Sequence, residues 1–191
     1  MSKLNKLVGI EIAVALVLVA LCVAGRLVWH PAHVAPVAAT ALFAGFFFRS
    51  RWLALAVPLT AMLLSDMAIG FYSPMIMAAV YLSLCFPIAL RRFLRAEVTL
   101  GRLIGCSLAS SMVLFVVSNA AVWQFGGLYE HHAAGLVQCF TNALPFFRNT
   151  LAGDLMWTAI LFSAHGIIAY TLGDRGNLVT GKYAYSYQRI R

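Results

Sequence analysis

Apolar runs of membrane-crossing length recur along this chain, separated by short links that carry most of its arginines and lysines. A bilayer's hydrocarbon core is about 30 Å thick and takes roughly 20 helical residues to cross. The run from Leu7 to Val28 meets that length, interrupted only by Glu11 and Arg26. With no water to satisfy backbone groups inside lipid, such runs fold as helices whose hydrogen bonds close internally. Composition agrees, because 62% of the 191 residues are hydrophobic and 10% are charged. Soluble domains are about half apolar and a quarter charged. The expected fold class is an all-α membrane protein, a bundle of six transmembrane helices.

The six spans are placed at 5–28, 34–48, 52–70, 75–91, 102–122 and 150–172, with 1–172 as one solute-binding domain and 173–191 as a polar tail. Pro36 sits near the start of the short second span, where a proline loses no helical hydrogen bond. Pro58 and Pro87 lie inside spans three and four and are expected to kink them. The first run is too long for the core of a cleaved signal, which has only about 7–15 apolar residues. It reads as a retained helix.

The net charge of +8 does not indicate nucleic acid. The basic residues are not gathered on one folded face; they sit between the spans. With the N-terminus inside, 12 of the 14 basic residues fall on the cytoplasmic side, leaving only Arg26 and Arg148 outside. The excess of Lys and Arg in cytoplasmic loops sets orientation. Both termini are therefore expected in the cytoplasm and the chain in a bacterial inner membrane, with the bilayer itself as its first partner.

The remaining polar chemistry gathers on the outer side: Trp29, His30, His33, Asp66, Tyr72, Tyr81, Asn119 and Trp123, then a long loop over 123–149 with Glu130, His131, His132, Arg148 and Asn149, then Asp154 one turn into span six. A carboxylate within a span costs roughly 2.5–3.5 kcal/mol on insertion scales and normally marks a partner or a polar cavity. Asp66 is expected to meet Arg148 or a solute, since a guanidinium holds a carboxylate or phosphate through two bonds. Asp154 is the rival partner for Arg148. Tyr81 and Cys85 share a helix face by their spacing of four. His131 and His132 lack the spacing of a zinc site, and no Cys pairing argues for a structural metal. Cys22, Cys85 and Cys106 read as small buried hydrophobes, and Phe46, Phe47 and Phe48 as packing or interfacial anchors. Small residues recur at Ala20/Ala24 and Ala35/Ala39, a spacing that suits close helix approach. No GxSxG, HExxH, P-loop or GxGxxG motif is present, so no enzymatic activity, free metal ion or intrinsic cofactor is expected.

Three stretches carry a resemblance: WHPAHVAPVAATALFAGFFF (29–48), PLTAMLLSDMAIGF (58–71) and LPFFRNTLAGD (144–154). Together with six spans they are similar to the substrate-binding S components of energy-coupling-factor vitamin transporters, nearest to the solitary S-component-like cobalamin transporters, over about residues 25–170. The resemblance implies a pocket open to the outside, capture of a vitamin-type solute, and release inward by tilting of the bundle. It also implies one of two modes, an energy-coupling membrane protein with ATPases as partner or transport alone. His30, Asp66, Tyr81 and Arg148 fall where that family places pocket residues; His33, Asn149 and Asp154 join them from the residue reading. Cobalamin is the first-choice transported ligand. The family's cobalt-contacting cysteine lies near the start of span four, where this chain has SPMIMAAVYLSLC. The candidate axial ligands here are Cys85, Cys139, Met75 and Met77, or an imidazole from His30 or His33. Two other readings stand beside this one: a non-transport scaffold or assembly subunit without a ligand, and thiol-dependent chemistry on a bound corrinoid.

Overall fold

A computed structural model describes residues 3–27 and 34–171. His30, His33 and the tail 173–191 lie outside the described residues. Among these residues all regular structure is helical: α1 (Lys3–Leu27), α2 (Val37–Phe47), α3 (Arg51–Ile69), α4 (Pro74–Ser83), α5 (Phe86–Ala89), α6 (Arg91–Ala96), α7 (Leu100–Phe125) and α8 (Ala133–Thr171). Five segments are long and apolar enough to cross a membrane: α1, α3, the α4–α6 run, α7 and α8. The chain is a helical membrane protein.

Local chemistry sets most of the boundaries. The hydroxyl of Ser50 accepts the Leu53 amide and opens α3, and Thr99 does the same for α7 through Arg102. Gly70, at φ +115°, ends α3 in a conformation that side-chain-bearing residues avoid. Pro74 starts α4 at a position where its missing amide is no loss. The chain loosens at Leu84–Cys85 just before Pro87, so the expected single span 75–91 is three helical pieces.

Two expectations need correction. The loop expected over 123–149 is mostly helix, because α8 begins at Ala133 and runs 39 residues without a break. Only the turn between Phe125 and Ala133 is loop. Trp123 Nε1 bonds the Glu130 carbonyl at 3.1 Å, and the His132 ring accepts the Gly135 amide at 3.1 Å, capping the new helix. Pro145 lies inside α8 but does not end it, so it is a poor boundary marker. The second correction concerns α2. It has 11 residues, or about 16 Å at 1.5 Å per residue, half of what a crossing takes. It was expected to span.

That short helix is the centre of the bundle. Val37 through Phe46 are all buried, and α2 touches α1, α3, α5, α6, α7 and α8. A helix apolar all round sits in a protein core or in lipid, and here protein covers it. Phe43 and Phe46 pack edge-on or tilted against Phe162 of α8, with ring centroids 5.3 and 5.1 Å apart. Gly45 permits close approach to α5: a Cβ there would lie 3.0 Å from the Ile88 Cα. Lipid-facing surface is supplied by exposed apolar side chains such as Leu16, Val17, Leu63 and Val137.

The carboxyl end of α2 meets a rim of arginines. Arg95 Nε donates to the Phe46 carbonyl at 3.0 Å, Arg91 Nη2 donates to the Arg49 carbonyl at 3.0 Å, and Arg95 also reaches the Phe48 carbonyl. Carbonyls at a helix end lack intrahelical partners and carry partial negative charge, so guanidinium groups suit them. With one end of α2 fixed at this rim, its other end stops beside the last turn of α1, where a Cβ on Gly25 would meet the Pro36 ring.

Candidate functional site: a polar belt around the buried start of α2

Three polar groups from three helices meet beside the start of α2. Arg26, one residue before α1 ends, places Nη2 2.5 Å from Oδ1 of Asp66 in the last turn of α3. Tyr81 of α4 donates its hydroxyl to Oδ2 of the same carboxylate at 2.7 Å. The second Arg26 nitrogen lies against the Met62 sulfur. Asp66 is 1% exposed and Arg26 19%. A buried carboxylate is tolerable only when paired and hydrogen-bonded, and here both oxygens are engaged. Met62 and Tyr81 also pack with Val37, the first residue of α2, which ties the network to that helix. Tyr72, in the turn after α3, feels the same charge: burial first, then the Asp66 carboxylate, push its hydroxyl pKa up, with Arg26 opposing.

A second cluster lies between α7 and α8. Ser111 Oγ is 2.6 Å from Oδ2 of Asp154, which is 3% exposed. The same hydroxyl is 3.1 Å from the Ser107 carbonyl, and Thr158 Oγ1 is 3.3 Å from Ser107 Oγ. One helical turn beyond Asp154, Trp157 Nε1 donates to the Val34 carbonyl at 2.8 Å. Gly153 lets that strand of chain come close, since a Cβ there would lie 2.9 Å from the Val34 Cα. Val34 leads into α2, so this cluster borders the same place from the other side. The start of α2 itself carries no side-chain cap, while Cys22 points its thiol at the Pro36 carbonyl at 3.8 Å.

The structure brings Asp66 and Tyr81 together, and it supplies Arg26 as their cation where Arg148 was expected. Arg148 and Asn149 are exposed on α8, and neither bonds Asp66. Asp154 is not at the mouth of a helix. Because α8 starts at 133, Asp154 lies 21 residues into it, at the level of Ser111. Among the thiol and thioether candidates, Met75 is exposed and Met77 half-buried in the first turn of α4. Cys85 is half-buried with its thiol 3.6 Å from the Tyr81 carbonyl. Cys139 is buried with its thiol 3.5 Å from the Asn119 carbonyl. Phe147 packs on Phe115 of α7 at 4.4 Å. His131 lies against Trp123, and His132 contacts Glu130 at 2.5 Å. Among the described residues no group of three His, Cys, Asp or Glu side chains could hold a metal ion.

Sequence reasoning passed over Arg26, Ser107, Ser111 and Thr158. A signal existed for the last three: Ser107 and Ser111 are four apart in one apolar run, Asp154 and Thr158 four apart in another, so each pair shares a helix face. No curated protein and no solved structure matches this chain. Residues 6–174 do match a protein family described only as a family of unknown function, DUF6580, and the chain belongs to that family.

Proposed function

We propose that this protein is the solute-binding subunit of a membrane transporter, taking a vitamin-type solute from the face opposite the arginine rim. The observation that carries the reading is α2, a half-length helix whose start is buried between Arg26–Asp66–Tyr81 and Asp154–Ser111. Transporters commonly place solutes at the ends of discontinuous helices near the bilayer midplane, where amides and the positive dipole end await an anionic group. The Arg26–Asp66 pair supports capture: a solute carboxylate or phosphate would exchange for Asp66 on the guanidinium. The resemblance to S components adds the ligand class, with cobalamin or a related corrinoid first. In this reading the arginine rim is cytoplasmic, the membrane is the bacterial inner membrane, and energy comes from a coupling partner with ATPases or from the solute gradient.

The test is the absorption spectrum of detergent-purified protein incubated with cobalamin and freed of unbound ligand. Retained corrinoid at one per chain, lost in Asp66→Ala and Arg26→Ala, supports the reading. A shifted spectrum that reverts in Cys85→Ser or Met75→Leu names an axial contact. Folded protein without colour removes cobalamin.

One observation favours the scaffold reading instead: both Asp66 oxygens already have protein partners, as a purely structural pair would. Its signature is a stoichiometric protein partner on purification together with no bound solute.

A further inference from the structure

We propose that the arginine rim beside the start of α3 binds the phosphate of an anionic membrane lipid. A groove of about 560 Å³ opens there, lined by Arg49, Arg51, Trp52 and Leu55. Among the described residues, Arg49 and Arg51 have no ion pair and no side-chain hydrogen bond. The nearby carboxylate, Glu11, accepts the Arg49 backbone amide at 3.3 Å and attracts Arg95, and one carboxylate leaves the arginines of this rim in excess. Arg91 is pinned by the Phe48 and Arg49 carbonyls through Nη2, at 3.5 and 3.0 Å. Arg51 is near enough to Arg91 for the two to repel. The rim thus concentrates positive charge and leaves guanidinium donors unused. A phosphate answers both needs, since it accepts two parallel bonds from a guanidinium.

The walls choose a lipid over a free phosphate. Trp52 is 81% exposed, at the level where indole rings settle among headgroups. From it, Ala56, Thr60, Leu63 and Met67 continue one exposed face along α3. A headgroup in the groove would lay its acyl chains down that face. Clusters of basic residues at the end of a membrane helix are places that anionic headgroups take. The inference needs only that α3 crosses the bilayer, so it stands or falls apart from the solute reading.

The test uses the full chain in phosphatidylcholine nanodiscs, titrated with phosphatidylglycerol and read by native mass spectrometry. One tightly held phosphatidylglycerol is expected, with affinity falling at least tenfold in Arg49→Gln/Arg51→Gln. Arg51→Lys, which keeps the charge without the fork, falls between. Arg102→Gln, whose parent residue pairs with Glu97 outside the groove, keeps wild-type affinity. Unchanged binding in the double variant overturns the site. Equal loss in Arg102→Gln overturns it in favour of diffuse charge, and displacement of the lipid by millimolar inorganic phosphate overturns the lipid as ligand. A second measurement keeps all arginines in place: brominated phosphatidylglycerol should quench a fluorescence component that vanishes in Trp52→Phe. Equal quenching by brominated phosphatidylcholine counts against the proposal.

Discussion

Asp66 joins α1, α3 and α4 at a single carboxylate, and its worth is best measured by breaking it one partner at a time. Removing one member of a buried pair leaves the other charged and unpaired, at a cost of about 3–5 kcal/mol. Asp66→Asn and Arg26→Gln are each expected to lower the melting temperature in detergent sharply. Arg26→Met with Asp66→Leu, which removes both charges, is expected to recover most of that loss, giving a large coupling in the double-mutant cycle. Tyr81→Phe removes one hydrogen bond to a charged acceptor and should cost about 1.5–3 kcal/mol. The cysteines offer a second check at this scale. All four are free, Cys85 is half-buried, and Cys22 and Cys139 are closed off, so a maleimide should modify Cys85 well before those two in folded protein.

At the scale of helices, glycine spacing decides how close α8 can come to the chain entering α2. Gly153→Ala forces its Cβ onto the Val34 backbone and is expected to cost about 1–3 kcal/mol, as overpacking does. Gly166→Ala, thirteen residues on along the same helix and facing open space, should be neutral or slightly stabilising; thermal unfolding of the two variants side by side checks the contrast. The same helices show what the sequence could and could not tell. Apolar runs located α1, α3 and α7 within a few residues, because lipid demands an uninterrupted run. The start of α8 was hidden. Residues 133–149 are polar enough to read as a loop, with Gln138, Asn142, Arg148 and Asn149 among them, and a proline besides. Helix formation there rests on capping by His132 and packing of Phe140 and Phe147 on Phe115. Asp66 and Tyr81 each stood out as a polar residue on the outer side, and only the family resemblance put them in one pocket. Their cation was not legible: Arg26 lies forty residues from Asp66, and no periodicity links two helices.

For the whole molecule, the arginine-bearing end and the turn between Phe125 and Ala133 lie at opposite ends of α7. Sequence charge assigns the first to the cytoplasm. Reporter fusions check it: a reporter active only outside the membrane should be silent when fused after Glu97 and active after Leu128. The reverse pattern would invert the molecule and the face from which a solute enters.

The brevity of α2 has a consequence for how the protein is made. Eleven residues are too few to be recognised as a span by the insertion machinery, so α2 must be carried in by its neighbours and find its place afterwards. It makes aromatic contacts with Phe162 and His165 of α8, the last of the described helices to leave the ribosome. Until that helix arrives, this buried apolar helix has no complete housing. A chain truncated before 133 should therefore reach the membrane yet be cleared by quality-control proteases, and supplying α8 as a separate polypeptide should rescue it.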